Sequence, residues 1–367
     1  MGVARWWSGK RPRPALNLAL QGGGAHGAFT WGVLDALLEA DRFDLRLISG
    51  TSAGAVNAVA LLDGWLSHPD DPPAGARARL GAVWDAVCAA GERAGNASSM
   101  ADWIDAFSHT LMQVAGPSTL NPLALNPLRD LLIEQINFER IIAAAHGYER
   151  ATTRVPPQIR LAATDLLAGK ARIFAGKDIC LEAVLASACL PTLHHTVTID
   201  GRRYWDGGFT VNPELLGLIE HRAAAPDTLL IELSNPRQRA DLGHESARLI
   251  AEETARLTFT QPLQRELAEI SRHRAVHAGL SVLGRLSLAP DTTARLCARH
   301  RLHGIDAAAH TRALEPGSKL RPTTENIARL FDAGRFEAIS WLENHGSGVG
   351  VRETFNWPSQ TPDEGAP

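Results

Sequence analysis

"ALNLALQGGGAHGAFTWGVLDALLEADRFDLRLISGTSAGAVNAV", residues 15–59, is the stretch from which the fold is read. Residues 15–20 are apolar except for Asn17, the composition of a short buried strand. Gly22, Gly23, Gly24 and Gly27 follow, and from Ala28 onward Trp31, Val33, Leu34, Leu37 and Leu38 recur at helical spacing. "DLRLIS" (44–49) predicts a second strand, and "SAGAVNAVALLDGWL" (52–66) an alanine-rich second helix. Strand, glycine loop, helix, strand, tight turn and helix together make an α/β layer with parallel strands.

Outward from this unit, "HPDDPPAGA" (68–76) reads as a loop. Residues 77–147 are mostly helical, with Asn121 and Asn126 as N-caps ahead of Pro122 and Pro127. "QIRLAATDL" (158–166) and "KARIFAG" (170–176) predict a hairpin, and "TVTIDGRRYWDGG" (196–208) two short strands about Asp200-Gly201. "TLLIEL" (228–233) is read as the last core strand. Beyond Arg237 the chain is helix-compatible to about His345. The expected divisions are a flexible basic arm (1–14), a catalytic domain (15–240), a helical cap or appendage (241–350) and a disordered tail (351–367).

Composition narrows the class. The chain has 367 residues, 45% hydrophobic and 21% charged, with a net charge of −3, as in an ordinary globular protein. No basic block favours nucleic acid. Cys88, Cys180, Cys189 and Cys297 are scattered without a C-x-x-C pair. That spacing points to reduced thiols in a cytoplasmic setting, not to a disulfide framework or a zinc site. No apolar run approaches the ~20 residues of a membrane span. "MGVARWWSGKRPRP" (1–14) has no apolar core behind its basic residues, so it does not read as a secretory signal. It reads as a flexible arm, or as a weak interfacial anchor giving peripheral contact with the inner membrane face.

Two motifs carry chemistry. Gly22-x-Gly24-x-x-Gly27 between a strand and a helix matches the dinucleotide fingerprint, but that reading needs an acidic residue closing the second strand. Here the second strand ends in Gly50-Thr51-Ser52, while Asp41 and Asp44 precede it. The other use of such a loop is to aim bare N–H groups at a phosphate or at the oxyanion of an attacked carbonyl. Gly22, Gly23, Gly24 and Ala25 are the candidate donors, with Gly27 completing the turn. Gly50-x-Ser52-x-Gly54 is a nucleophile-elbow pattern, with Ser52 the nucleophile and Ala53 N–H a further donor.

A serine needs a base. Among the 14 histidines, His244, His273, His277, His300, His303, His310 and His345 follow the last predicted core strand and read mostly as surface groups on Arg-rich helices. His194 and His195 precede a strand and are candidates to line the site. Asp206, followed by Gly207 and Gly208, sits at a predicted strand end, where a dry cleft would raise its proton affinity. Asp-Gly-Gly is equally compatible with a simple hairpin turn.

"GGGAHG", "GTSAG" and "DGG", in this order, resemble the patatin-like phospholipases, and the similarity covers about residues 15–235. The segment "ASACLPTLHHTVTIDGRRYWDGG" (186–208) is similar to that of bacterial members. The resemblance implies an α/β/α fold around a mainly parallel sheet, no metal or other cofactor, and a Ser52–Asp206 dyad without a catalytic histidine. His26 stands where many members carry Arg or Lys, which weakens the positive field at the loop. The expected function is therefore a serine acyl hydrolase acting on lipid esters through an acyl-enzyme. A long acyl chain would run between residues 77–147 and the C-terminal helices. The alternatives are a soluble short-chain esterase or thioesterase on the same site, and a regulatory scaffold that keeps the fold. Oligomeric state is not legible.

Overall fold

Near-continuous burial along the central strands gives the sheet two packed faces. The computed structural model describes residues 12–96, 126–147, 152–191, 194–234, 247–287, 289, 292–312, 314 and 318–357. β1 (Ala15–Leu20) leads through a 3-10 turn (Gly24–His26) and α1 (Gly27–Ala40) to β2 (Asp44–Thr51). α2 (Ala53–Ser67), α3 (Pro72–Asn96), α4 (Pro127–Gln135) and α5 (Phe138–Ala145) follow. The next elements are β3 (Gln158–Asp165), β4 (Lys170–Ala175), α6 (Leu181–Ser187), β5 (Val197–Ile199) and β6 (Arg202–Asp206). Then come α7 (Leu216–Glu220), β7 (Asp227–Glu232), α8 (Ala247–Gly279), α9 (Val282–Ser287) and α10 (Thr293–Arg299). β8 (Arg301–Asp306), α11 (Ala308–Thr311) and α12 (Thr324–Asn344) complete the order.

The strands form one eight-stranded sheet, β5-β6-β3-β2-β1-β7-β8, with β4 also paired to β3. β3, β2, β1, β7 and β8 run parallel, and β4, β5 and β6 add antiparallel pairs at one side. Leu16, Leu18 and Leu20 of β1, with Leu229 and Ile231 of β7, pack against residues of α1, α2, α3 and α12. Ala19 and Leu230 turn the other way, to Leu215, Ile219, Leu263, Leu267 and Ile270. Helices cover both faces, which is why β1 is almost continuously apolar. This is the expected mixed α/β architecture. Its parallel strands direct their carboxyl ends to one edge, where β1 and β2 hand over to the glycine loop and the serine turn.

Several local readings hold for physical reasons. Asp200 (φ 49°) and Gly201 (φ 75°) both take the positive φ of a two-residue hairpin turn. The Asn126 side chain accepts from Arg129 N–H at 3.3 Å, with Pro127 at the first helical position. Asn121 lies outside the described residues, as do residues 1–11 of the basic arm.

Three expectations are corrected. Residues 72–76 are not loop but the first turn of α3, where Pro72 and Pro73 forgo N–H groups that a helix start leaves unpaired anyway. Thr228–Leu233 is not the last core strand, because β8 extends the sheet beside β7. His303 and Gly304 made that strand unreadable; His303 is buried because Asp227 Oδ1 (3.1 Å) and Thr354 Oγ1 (2.8 Å) satisfy its ring. Finally, residues 351–357 of the expected disordered tail are placed: Glu353 pairs with Arg274 at 2.7 and 3.0 Å, and Phe355 and Trp357 pack on the second cluster. Residues 358–367 lie outside the described residues. Among the described residues no helix is long and apolar enough to cross a membrane.

Candidate active site

Ser52 ends β2 and begins α2 at φ 55°, ψ −120°. A non-glycine residue in so sparsely populated a region costs about 1–3 kcal/mol, which the surroundings must offset. They do so from several sides. Ser52 N–H donates to Ser187 Oγ at 3.0 Å, and its carbonyl accepts from Ala55 and Val56 N–H at 2.9 and 3.1 Å. Thr51 Oγ1 donates to the Val211 carbonyl at 3.2 Å. The flanking glycines give α2 room: a Cβ on Gly54 would lie 2.2 Å from the Leu20 carbonyl oxygen, and one on Gly50 would lie 2.5 Å from Gly54 O.

Asp206 ends β6 and is 1% exposed. Its Oδ1 accepts from Gly208 N–H at 2.7 Å, and its own N–H donates to the Cys189 carbonyl at 2.8 Å. Oδ2 is buried without a hydrogen-bond partner among the described residues. Burial pushes the carboxyl up to about 7, and the Gly208 N–H and the Ser52 hydroxyl only partly oppose it. The serine hydroxyl is thus near enough to favour the charged carboxylate, although it makes no hydrogen bond of full geometry to Oδ2. Gly207 lies against the Ala162 carbonyl, and Gly208 faces the Phe259 ring of α8.

The glycine loop touches the serine. A Cβ on Gly22 would stand 2.8 Å from Ser52 Cβ, and one on Gly27 2.7 Å from Ala53 Cβ. Gly23 packs on Leu233, while Gly24 takes φ 56° under the Lys319 carbonyl. Gly22 N–H, one of the expected oxyanion donors, is already bonded to Asn212 Oδ1 at 2.7 Å. That leaves Gly23, Gly24 and Ala25 as the candidate donors, at the start of a 3-10 turn whose first N–H groups have no acceptor within it.

The histidines fall into three groups. His26 is buried, bonded through Nε2 to Ser318 Oγ at 2.9 Å, and held down at about 3 by burial and by the Lys319 charge. Held there, it adds no positive charge to the loop near neutral pH. His194 and His195 lie between α6 and β5, on the segment whose Cys189 carbonyl takes the Asp206 N–H. Burial lowers the His194 pKa, and the His195 carbonyl accepts from Cys189 Sγ at 3.2 Å. Of the late histidines, His300 and His303 are buried rather than at the surface, at the start of β8 against Thr228 and Asp227 of β7, and so at the sheet edge opposite Ser52. His310 pairs with Glu337 and His273 with Glu269, whereas His244 lies outside the described residues.

Sequence reasoning missed Asn212 and Ser187, each over 100 positions from the group it holds. Asn212 is 1% exposed and spends both ends of its carboxamide: Oδ1 on Gly22 N–H, Nδ2 on the Phe259 carbonyl at 2.9 Å. The Asn212-Pro213 pair shortly after "DGG" was the available signal.

Residues 18–218, more than half of the chain, match the family model described as patatin-like phospholipase. The chain belongs to the patatin-like phospholipase family. Membership makes a lipid hydrolase the broad functional class. Among solved structures the chain is similar to VipD from Legionella pneumophila, at 16% identity and a TM-score of 0.39, over 91% of this chain and 67% of that one. It is also similar to the heterodimeric ExoU-SpcU complex from the type III secretion system of Pseudomonas aeruginosa, at 14% identity and a TM-score of 0.26, over 95% and 74%. No curated protein matches the sequence. α8, β8, α12 and Lys319 all lie beyond the patatin-like match.

Proposed function

We propose that this patatin-like chain is a serine acyl hydrolase that cleaves lipid ester bonds through Ser52, Asp206 and an acyl-enzyme. The observation that carries the reading is a strained Ser52 close enough to act on the buried Asp206 carboxyl, whose Oδ2 has no hydrogen-bond partner among the described residues. Ser52 Oγ attacks the ester carbonyl while its proton passes to Asp206 Oδ2. The new oxyanion is met by N–H groups of Gly23, Gly24 and Ala25, with Ala53 N–H at the start of α2 as a further donor. Collapse of the tetrahedral intermediate expels the alcohol, which takes the proton from Asp206. Water then gives a proton to Asp206 and attacks the Ser52 ester, releasing the fatty acid and restoring the serine.

An aspartate of ordinary pKa ~3.9 is a poor base; raised to about 7, it is matched to proton transfer near neutral pH. Of the expected channel wall, residues 77–147 with the C-terminal helices, the stretch 97–125 lies outside the described residues. The soluble esterase or thioesterase reading uses the same residues and differs only in substrate. The test is turnover of diacyl phospholipids, p-nitrophenyl esters and acyl thioesters of matched chain length, with intact-mass detection of an acyl adduct. The proposal expects release of fatty acid from phospholipid and an adduct that Ser52→Ala lacks. Turnover confined to short soluble esters or thioesters would replace the lipid assignment, and an adduct surviving in Ser52→Ala would remove the nucleophile.

A further inference from the structure

The glycine loop is clasped by side chains that acyl transfer does not use. Gln21 Oε1 accepts from Leu233 and Ser234 N–H at 2.6 and 3.0 Å. The Ser234 hydroxyl accepts from Lys319 Nζ at 2.6 Å. Ser318, next to Lys319, bonds His26 Nε2. Gln21, Ser234, Lys319, Ser318 and His26 thus close a circuit around residues 22–25.

The circuit holds unspent nitrogen groups. Gln21 Nε2 and His26 Nδ1 are buried with no hydrogen-bond partner among the described residues. The Gln21 orientation is fixed, because only its oxygen can accept from two backbone N–H groups. The Lys319 ammonium has three N–H groups, and among the described residues it meets one acceptor, the Ser234 hydroxyl, and no carboxylate. Gln21 Nε2 can only donate, and His26 Nδ1 donates in the tautomer whose Nε2 accepts from Ser318, so this set beside a cation fits a ligand that only accepts. Water would serve the donors but leave the charge uncompensated.

We propose that Gln21, His26 and Lys319 form an anion subsite that takes a phosphate oxygen of the lipid headgroup while Ser52 attacks the acyl ester. The proposal rests on the acyl-hydrolase reading and adds its substrate class. Gln21 is one residue from Gly22, whose backbone touches Ser52, so the subsite flanks the nucleophile on the β7 side of the loop. Lys319 comes from beyond the patatin-like match and supplies the charge that His26 does not. Burial pushes its ammonium down to about 8, with the Arg256 charge acting the same way, and a bound anion would reverse that shift.

The test compares kcat/KM for dihexanoylphosphatidylglycerol, below its micelle concentration, with that for dihexanoylglycerol. In Lys319→Met the phospholipid-to-neutral ratio should fall about 10- to 100-fold, the range for a lost hydrogen bond to a charged group. Gln21→Glu, which keeps both backbone bonds and replaces the donor by a carboxylate oxygen, should lower it in the same direction. Equal losses on both substrates would overturn the subsite and leave Lys319 a brace for the loop. Calorimetric titration of Ser52→Ala with the same phospholipid and with inorganic phosphate separates headgroup from free ion. Binding of phosphate alone, or of neither, would refute the headgroup assignment. If the wild type cleaved neither ester, the hydrolase reading would fail and the titration would still decide the subsite.

Discussion

Replacing Asp206 by asparagine should make the protein more stable at alkaline pH while removing its activity. Asp206 is 1% exposed, and burial raises its carboxyl from 3.8 to about 7. The folded chain therefore holds the proton more tightly than the unfolded chain does. The stability contributed by the protonated group is complete below pH ~3.8 and is lost as pH rises to about 7. At about 1.4 kcal/mol per pH unit, that window corresponds to about 4 kcal/mol of destabilisation once the carboxylate is charged. Asparagine carries no charge, and its Oδ1 can still accept from Gly208 N–H. Urea unfolding of both proteins at pH 4, 5.5 and 8 reads the difference from the midpoint and slope. The variant's advantage should be near zero at pH 4, grow through pH 5.5, and reach about 2–4 kcal/mol at pH 8. A pH-independent difference, or a variant less stable at pH 8, would refute the claim that this carboxylate is buried at the expense of stability.

Other consequences follow from single contacts. Ser52→Gly should abolish activity yet stabilise the fold by about 1 kcal/mol, because glycine tolerates φ 55°, whereas Ser52→Ala should not; chemical denaturation separates them. Asn212→Ala leaves Gly22 N–H and the Phe259 carbonyl unpaired, for about 2–4 kcal/mol of lost stability, and should slow acylation of the folded fraction more than it weakens substrate binding. Glu353→Ala removes the acceptor of Arg274, Leu302 N–H and Trp357, and should raise amide exchange in β8 before it affects β1 or β2.

What the sequence revealed and what it hid have physical causes. The first β1–α1–β2–α2 unit was legible because its strands are buried on both faces and its turns need glycine. Asp200-Gly201 was legible because a two-residue hairpin turn demands positive φ. β8 was not, since Arg301, His303 and Asp306 hide a strand whose burial depends on Asp227, over 70 positions away. Pro72 and Pro73 read as breakers, although a helix's first turn accepts them. In the site, Ser52, Asp206 and the glycines announced themselves because their chemistry restricts neighbouring residues. Asn212, Ser187 and Lys319 act through contacts made only by folding, and no local spacing marks them.

The claim at the centre is that Asp206, not a histidine, takes the proton of Ser52. Its most direct test is the rate at which a fluorescent fluorophosphonate labels wild type, Ser52→Ala and Asp206→Asn across pH 5–9. The account predicts wild-type labelling that rises to a plateau above about pH 7, none in Ser52→Ala, and a loss of at least about 100-fold in Asp206→Asn at every pH. Labelling of Asp206→Asn at the wild-type rate, with Ser52→Ala silent, would contradict it and move the base elsewhere.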